Sequence, residues 1–463
     1  MATGEPSAHD AQSPCHPGLT PKLGFLFSWS VKCDIFPAVE VNTMPLKRRD
    51  FIKKGTISLA ALGLAGRSSS LPAPVEAQEL KNMLAGVEPL TPEDYAARRD
   101  KALRLLAENK LDAIFIGGGT NLQYFFKVNW WLSERVFGVV LSRKKEPVWV
   151  CPAFEVKRAE ELVPSGQEIR TWEEHEDPYA LIGSILKDIG AATGRLATAP
   201  DLRAFEVHGL RRTLASAQVV DGAPVTEGCR GIKTAKEIAF MDLANRITKL
   251  AYREGFKEMR AGMTPRELAA AISAAHQKLG VTGSGGPQFG PNSAFPHGSQ
   301  APRTLSEGDI VLVDGGCGVE GYRSDVTRTV VFGKPSDRQR RVWDAVRKAQ
   351  LAALKAARPD ASCESVDRAA RRVIEDAGFG PDYKYFSHRL GHGIGMEGHE
   401  YPYLVKGNKL ELRPGMTFSN EPGIYIYGEF GVRIEDCMVI TEDGAKFLGG
   451  LEAESIERPF ENG

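Results

Sequence analysis

The chain has 463 residues, of which 42% are hydrophobic and 25% charged, a composition typical of globular proteins that excludes global disorder or a fibre. Lys and Arg together number 59, as do Asp and Glu, so the zero net charge gives no electrostatic reason to expect nucleic acid or an anionic membrane as partner. The seven cysteines include no Cys-x-x-Cys pair, and no run of about 18 apolar residues exists, so neither a cysteine zinc site nor a membrane-spanning helix is predicted.

The amino terminus begins with a segment of low structural content. Residues 1–43 are rich in Pro, Ser and Gly and show no sustained periodicity, which predicts an unstructured extension. A basic stretch then starts at Met44 and contains the pair Arg48 and Arg49, followed by Phe51. Because export signals usually begin within a few residues of such a pair, we expect Met44 to be the true start of the protein.

The residues after this basic stretch complete the pattern of an export signal. A modest apolar stretch covers 56–66, and a Ser/Pro-rich region then leads to the small residue Ala77. The whole segment 44–77 resembles a twin-arginine signal peptide, with cleavage after Ala77 and a linker over 78–90. The alternative is a basic surface patch beside a buried helix. Export by the twin-arginine route, to the periplasm or beyond, is therefore the expectation.

A small α/β domain is predicted over residues 91–228. Thr91 followed by Pro92 is typical of a capped helix start, and apolar stretches bounded by turns alternate with helical patterns further on. The predicted elements are a helix from Pro92 to about Asn109, strands over 113–116, 136–141 and 148–151, and a helix from Pro178.

A second domain is predicted over residues 229–463. Helices are expected to begin after Thr234, which forms a capping-box pattern with Glu237, and after Thr264, which is followed by Pro265 and Glu267. A third helix is expected from Ser336 to about Ala357. Strands punctuated by glycine lie between and after these helices, and they carry nearly all the residues suited to catalysis.

The first candidate site is a hairpin that carries two carboxylates. An apolar run ends in Asp314, and a β-branched run follows Asp325, so a turn at 319–320 would place these two acids directly opposite each other. Two opposed carboxylates repel each other unless something positive lies between them. A metal ion would serve, but a shared proton or a salt bridge to Arg323 or Arg328 would serve equally well.

A second hairpin repeats the arrangement. Glu421 and Glu435 are equidistant from Gly428, so a turn centred on that glycine would make the two acids face each other. One hairpin of this kind is suggestive, whereas two in one domain are hard to attribute to chance.

The histidines point the same way. Three of the nine, His388, His392 and His399, fall within twelve residues, and His392 is flanked by Gly391 and Gly393, which leaves space around its ring. Four carboxylates with one imidazole would suit two divalent ions, and this donor set favours Mn²⁺ over thiolate-bound Zn²⁺, with Co²⁺ and Zn²⁺ as alternatives.

These residues in their local contexts resemble the pita-bread metallopeptidases, in the subgroup with a creatinase-type amino-terminal domain that includes aminopeptidase P and prolidase. The resemblance covers about residues 91–455 and is strongest in the catalytic domain. The motifs are Val-Asp-x-Gly, Ser-Asp-x-Thr-Arg-Thr, Gly-His-Gly-Ile-Gly-x-x-x-His-Glu, Asn-Glu-Pro-Gly-Ile-Tyr and Val-Arg-Ile-Glu-Asp, and the five residues that match the family's metal ligands are Asp314, Asp325, His392, Glu421 and Glu435. It implies an α+β fold, with a pita-bread catalytic domain preceded by a smaller α/β creatinase-type domain.

The resemblance also implies a role for each ligand. Asp325 and Glu435 would bridge two ions, Asp314 would complete one site, and His392 with Glu421 would complete the other. Two ions in such a site activate a water, here for attack on the carbonyl of the bond before proline. Glu421 would act as the proton shuttle.

Further pocket residues follow from the same resemblance. His297 and His399 match substrate-side histidines, His388 matches a further pocket histidine, and Arg433 matches the arginine beside the bridging Glu. These groups would hold the substrate or the developing oxyanion. For His388 and Arg433 a structural role is nearly as well supported, and Thr327 is expected to orient a ligand carboxylate by a hydrogen bond.

The implied activity is removal of the amino-terminal residue from Xaa-Pro peptides. It leaves an Xaa-Pro aminopeptidase and an Xaa-Pro dipeptidase as alternatives, since the residues that would close the pocket around a dipeptide are not evident. The loop Asn129–Arg135 is a candidate, although its Trp pair favours a core position. A metal-dependent aminopeptidase of other specificity, a creatinase-like enzyme and a metal-free peptide-binding relative are weaker alternatives. Family habit further implies a homodimer.

Overall fold

The computed structural model describes residues 80–460, all within one compact unit, Glu76–Gly463. The predictions for the extension 1–43 and the signal 44–77 lie outside these described residues. Within the described part of the chain, no helix combines the length and the apolar character needed to cross a bilayer.

Helices and strands alternate in the first half of the unit, and short strands dominate the second half. The helices are α1 (Pro92–Glu108), α2 (Thr120–Phe126), α3 (Val156–Leu162), α4 (Pro178–Asp188), α5 (Ala204–Thr213), α6 (Ala223–Arg230), α7 (Ala235–Phe256), α8 (Pro265–Lys278), α9 (Asp337–Ala356) and α10 (Cys363–Asp376). The strands are β1 (Ala113–Gly117), β2 (Gly138–Ser142), β3 (Val148–Pro152), β4 (Glu168–Trp172), β5 (Arg195–Thr198), β6 (Gln218–Asp221), β7 (Gly286–Phe289), β8 (Ile310–Gly315), β9 (Gly318–Val319), β10 (Tyr322–Arg323), β11 (Val326–Val331), β12 (Gly391–Gly393), β13 (Glu400–Leu404), β14 (Thr417–Asn420), β15 (Gly423–Ile426), β16 (Phe430–Arg433), β17 (Asp436–Ile440) and β18 (Ala445–Phe447).

The predicted helix starts are confirmed by their caps. Thr91, Thr234, Thr264 and Ser336 each accept a hydrogen bond from the backbone three residues on, and the residue at that position bonds back to the cap. This reciprocal pattern satisfies two backbone donors that the first helical turn would otherwise leave unpaired. Local sequence therefore sets where these four helices begin.

The first domain is a mixed six-stranded sheet of order β4-β3-β2-β1-β5-β6, in which β2 runs antiparallel to both its neighbours. Its central strands β1, β2 and β3 are buried along their whole length, which is why they read as continuous apolar runs. The predicted α/β character is confirmed. The boundary predicted after Gly228 falls inside α6, which continues to Arg230.

The second domain places two antiparallel sheets side by side. One has the order β11-β8-β7 and the other β13-β12-β14-β17-β18, while β15 and β16 form a separate ribbon. Thr327 on β11 and Glu435 just before β17 form a bridge, and the Glu435 N–H donates to the Thr327 carbonyl at 3.0 Å. This bridge joins the two acid-bearing hairpins.

A buried ion pair ties the first domain to the second. Arg98 on α1 donates to Glu237 on α7 at 2.7 Å and to the Tyr322 hydroxyl at 2.7 Å. Tyr322 stands in β10, on the connection between Asp314 and Asp325. The first domain therefore contacts the tip of an acid-bearing hairpin directly.

Candidate active site

The first acid-bearing hairpin forms, but in a different register from the one predicted. Asp314 on β8 pairs with Thr327, and Val319 pairs with Tyr322, so the turn lies at 320–321 and the direct opposition of Asp314 and Asp325 was wrong by two positions. Both turn residues have positive φ, 49° and 85°, as tight hairpin turns require. The two aspartates are instead diagonal neighbours, still close enough to share a ligand.

The second hairpin has the predicted register. Strands β15 and β16 pair symmetrically about Gly428, whose φ is +84°, and the pairing of β14 with β17 continues in the same register. Glu421 and Glu435 stand between these two paired segments, which brings them to face each other. The turn position was recognisable because a single glycine there supplies the positive φ.

A short strand of the second sheet places the His392 side chain beside the acids. It lies in β12, is 2% exposed, and its backbone N–H donates to Ser419 Oγ at 3.0 Å. A Cβ on Gly391 would overlap the Ser419 carbonyl oxygen. The glycine beside His392 therefore allows β14 to approach closely, and the open backbone noted in the sequence serves packing.

The five predicted ligands come together in two groups that share one member. The ligand atoms of Asp314, Asp325 and Glu435 lie within 4.8 Å of one another, as do those of His392, Glu421 and Glu435. His392 Nε2 is 3.3 Å from Glu421 Oε1 and 3.8 Å from Asp325 Oδ2. Glu435, the shared member, holds the position expected of a bridging ligand.

The electrostatics of these carboxylates call for a cation. Burial, together with the neighbouring acids, raises the pKa of Asp325 and of Glu435 well above the ordinary range. Burial also opposes ionisation of Glu421, but the hydrogen bond from His392 and the charges of His392 and Arg433 outweigh it and lower its pKa to about 2. Carboxylates crowded at this density with one imidazole fit a pair of divalent ions.

Two groups around this cluster orient the ligands. Thr327, fully buried, donates from Oγ1 to Glu435 Oε2 at 2.7 Å, which confirms the predicted hydrogen bond. Arg433 donates from Nε to Thr327 Oγ1 at 3.0 Å and from Nη2 to Asp314 Oδ2 at 2.7 Å. Such contacts fix the rotamers of the ligand carboxylates before a metal arrives.

Tyr425 ends the Asn-Glu-Pro-Gly-Ile-Tyr motif, and its part in the site was not predicted from the sequence. Its hydroxyl accepts from Arg433 Nη1 at 3.0 Å and lies 2.8 Å from His388 Nε2. Burial lowers the pKa of His388, so the ring is neutral at pH 7 and its Nε2 accepts from the tyrosine while Nδ1 donates to a backbone carbonyl. The space for this ring was readable from the register, because Gly431 stands opposite Tyr425.

A cavity of about 350 Å³ opens onto the cluster. All nine predicted site residues line it, together with Pro296 and Arg389: Asp314, Asp325, His392, Glu421, Glu435, His297, His388, His399 and Arg433. Burial and the nearby His392 lower the pKa of His399, whose ring stacks on that of His392 with centroids 3.7 Å apart. The neutral ring can donate or accept at the cavity wall.

The candidate closing loop does not line this cavity within one chain. Trp130 is buried and stacks on Phe137 with ring centroids 3.7 Å apart, so it lies in the core, which is the position that the sequence favoured for the Trp pair. Trp131 is 53% exposed and lies under Arg158, whose guanidinium is 3.6 Å from the ring centroid.

Comparison with known proteins agrees with this architecture. Residues 239–442 match metallopeptidase family M24, and residues 98–232 match the creatinase/prolidase amino-terminal domain. Over 357 residues the chain is 37% identical to the Xaa-Pro dipeptidase of Lactobacillus helveticus, covering 75% of this chain and 95% of the relative.

Two solved structures show the same fold. The dipeptidase PepE of Mycobacterium ulcerans superposes with a TM-score of 0.73 at 34% identity, covering 78% of this chain and 96% of that one. An X-Pro aminopeptidase from Thermotoga maritima gives a TM-score of 0.65 at 27% identity, with 75% and 96% covered. Together with the five clustered ligands, these matches show that the chain belongs to metallopeptidase family M24, in the branch that carries a creatinase-type amino-terminal domain.

Proposed function

We propose that this protein is a dinuclear-metal exopeptidase that hydrolyses the amino-terminal Xaa-Pro bond of peptides. The observation that carries the proposal is the pair of ligand groups that share Glu435. Two of the relatives, an Xaa-Pro dipeptidase and an X-Pro aminopeptidase, are named for this bond, and their names support it as the substrate. Proline-containing peptides are therefore the proposed substrates.

The residues that would hold the metal follow from the donor set. Asp325 and Glu435 would contact both ions, Asp314 would complete one site, and His392 with Glu421 would complete the other. The excess of carboxylate oxygen over nitrogen favours Mn²⁺, with Co²⁺ or Zn²⁺ as alternatives. When bound, such ions polarise the scissile carbonyl and activate a water.

The remaining steps belong to the chain's own groups. The hydrogen bond from His392 and the nearby positive charges keep Glu421 ionised at neutral pH, and its carboxylate would take the proton of the attacking water and return it to the departing proline nitrogen. His297 and His399 stand on the cavity wall, where an imidazole N–H can donate a hydrogen bond to a substrate carbonyl. Arg433 and His388 both form hydrogen bonds with the Tyr425 hydroxyl, and these bonds fix their side chains at the cavity wall.

Of the two peptidase types, dipeptidase is the better supported. The two relatives of higher identity are named dipeptidases, and the aminopeptidase is the more distant of the three. The cavity of about 350 Å³ is also of a size that a dipeptide can fill.

The test compares two peptides. Protein loaded with Mn²⁺ should hydrolyse Ala-Pro and leave Ala-Pro-Ala-Phe intact, and chelation should abolish turnover. Glu435→Gln should abolish hydrolysis without unfolding the protein, while Glu429→Gln, which alters an exposed acid paired with Arg338 at 2.6 Å, should retain full activity. Release of Ala from the longer peptide would establish the aminopeptidase instead. Turnover by the Glu435 variant would reject the two-metal site.

Export and assembly are proposed on separate grounds. The pair Arg48 and Arg49 supports twin-arginine export to the periplasm, and changing both to Lys should leave unprocessed precursor in the cytoplasm.

A homodimer is supported by three exposed apolar side chains that a partner would cover. These are Trp131, Leu132 and Phe154, which are 53%, 56% and 61% exposed. Sedimentation analysis of the wild type and of Trp131→Ser would measure the oligomeric state.

A further inference from the structure

The residue that follows His399 is held by two cations from the junction between the domains. Glu400 is 7% exposed, and its Oε2 accepts from Arg230 Nη2 at 2.5 Å while its Oε1 accepts from Lys233 Nζ at 2.7 Å. Arg230 ends α6, and Lys233 lies in the short connection before α7. The chain therefore passes from one domain to the other through a charge cluster adjacent to the catalytic cavity.

His399 itself is weakly held. Its ring stacks on His392, and Arg389 Nη2 lies 3.4 Å from its Nδ1, which is the one side-chain hydrogen bond that His399 makes within residues 80–460. The residue is exposed at the mouth of the cavity. Its position must therefore come largely from the backbone on either side of it.

That backbone is anchored on Glu400. Gly393 pairs with Glu400 across a bulge, so the segment 394–399 forms a loop whose two ends meet at this pair. The Glu400 carboxylate folds back beneath the loop, where a Cβ on Gly395 would overlap Oε1 and would stand 3.0 Å from Lys233 Cε. Gly395 is thus the point of closest approach between the loop and the cluster.

We propose that Arg230 and Lys233 are positioning residues that fix His399 by holding Glu400, so that the domain junction sets the geometry of the substrate-side histidine. The inference rests on the proposed function. The buried charges of Lys233 and Glu400 and the largely buried charge of Arg230 are costly to desolvate, and an apolar contact of the same size would join the domains at least as stably. A charge cluster holds one carboxylate in one place, which an apolar contact does not, because hydrogen bonds to a charged acceptor are directional.

A second partner of Arg230 provides a matched control. Arg230 Nη2 also donates to Glu397 at 3.0 Å, and the Glu397 side chain is 39% exposed. Glu397→Gln removes one charge from the same arginine and leaves the Glu400 contacts in place. We expect this variant to keep kcat and KM within about twofold of the wild type, since exposed ion pairs contribute little.

The decisive experiment is a double-mutant cycle on Xaa-Pro hydrolysis. Arg230→Met should lower kcat by about 10- to 100-fold with little change in KM, because displacing a group that acts in the transition state by about 1 Å can cost about 10²-fold. His399→Ala should lower kcat as well. In the His399→Ala background, Arg230→Met should then change kcat by less than about threefold, since its effect acts through that ring. Equal losses in both backgrounds would overturn the proposal, as would full kcat in Arg230→Met.

A second measurement does not depend on turnover. In metal-free protein with ¹⁵N-labelled histidine, the stacked ring of His399 should give proton signals shifted by the ring current of His392, assigned by their loss in His399→Ala. Arg230→Met should move these signals toward unstacked values, and Arg230→Lys should restore them in part. Unmoved signals in a folded Arg230→Met variant would overturn the proposal. An inactive wild type with the expected histidine shifts would instead reject the proposed function alone.

Discussion

Replacing Thr327 with valine tests whether the bridging carboxylate is pre-oriented for metal. Valine keeps the β-branched shape but removes the hydroxyl that donates to Glu435 at 2.7 Å and accepts from Arg433 at 3.0 Å. A hydrogen bond to a charged group contributes about 1.5–3 kcal/mol, and Arg433 keeps its bond to Asp314 as partial compensation. We therefore expect Mn²⁺ affinity to fall about 10- to 100-fold, the range for a residue that orients a ligand.

In free-energy terms this loss is about 1.4–2.8 kcal/mol, because each factor of ten corresponds to about 1.4 kcal/mol. Calorimetric titration of metal-free protein with Mn²⁺ measures it directly. Thr329→Val is the matched control, since Thr329 is also buried and donates to the Arg433 carbonyl at 2.7 Å without touching a ligand carboxylate. That variant should lose stability yet bind Mn²⁺ within about threefold of the wild type. Equal affinity losses in the two variants would refute the reasoning.

Two further predictions concern stability. The pKa values of Asp325 and Glu435 are raised in the folded protein, so folding favours their protonated forms. Their contribution to the free energy of unfolding is fully present below the ordinary carboxyl pKa of about 4, and it is lost as pH rises through the raised values. Metal-free protein should therefore unfold at lower urea concentration at pH 8 than at pH 5, and the gain from added metal should widen over that interval; a constant gain would contradict this. Separately, Gly391→Ala should cost about 1–3 kcal/mol or more, since its Cβ would overlap the Ser419 carbonyl, whereas Gly398→Ala, with open space around it, should be neutral or slightly stabilising in the same urea titration.

Local signals made much of the fold predictable. The capping residues Thr91, Thr234, Thr264 and Ser336 predicted four helix starts, because the hydrogen bonds that define a cap are made within three residues of it. The second hairpin was placed in register because Gly428 is a single residue with positive φ midway between the acids. Both inferences needed only near neighbours along the chain.

The errors arose where geometry depends on more than near neighbours. The first hairpin turns at 320–321, where Glu320 adopts φ 49°. Positive φ is uncommon for glutamate, so the residue type does not predict this turn position. The role of Tyr425 depends on where the His388 and Arg433 side chains lie, which the register of the hairpin alone does not give. The role of Arg230 could not be predicted because its partner Glu400 is 170 residues away in the chain.

The buried contact of Arg98 with Glu237 and Tyr322 limits how this protein can be recombined. A chimera that joins the amino-terminal half of one relative to the catalytic half of another would break the contact unless both parents place the same three groups there. Removing Arg98 alone would leave Glu237, 2% exposed, with its charge buried and one partner fewer. The two halves therefore depend on a matched contact, and an exchange of halves between relatives is expected to succeed only where the arginine and both of its acceptors are present.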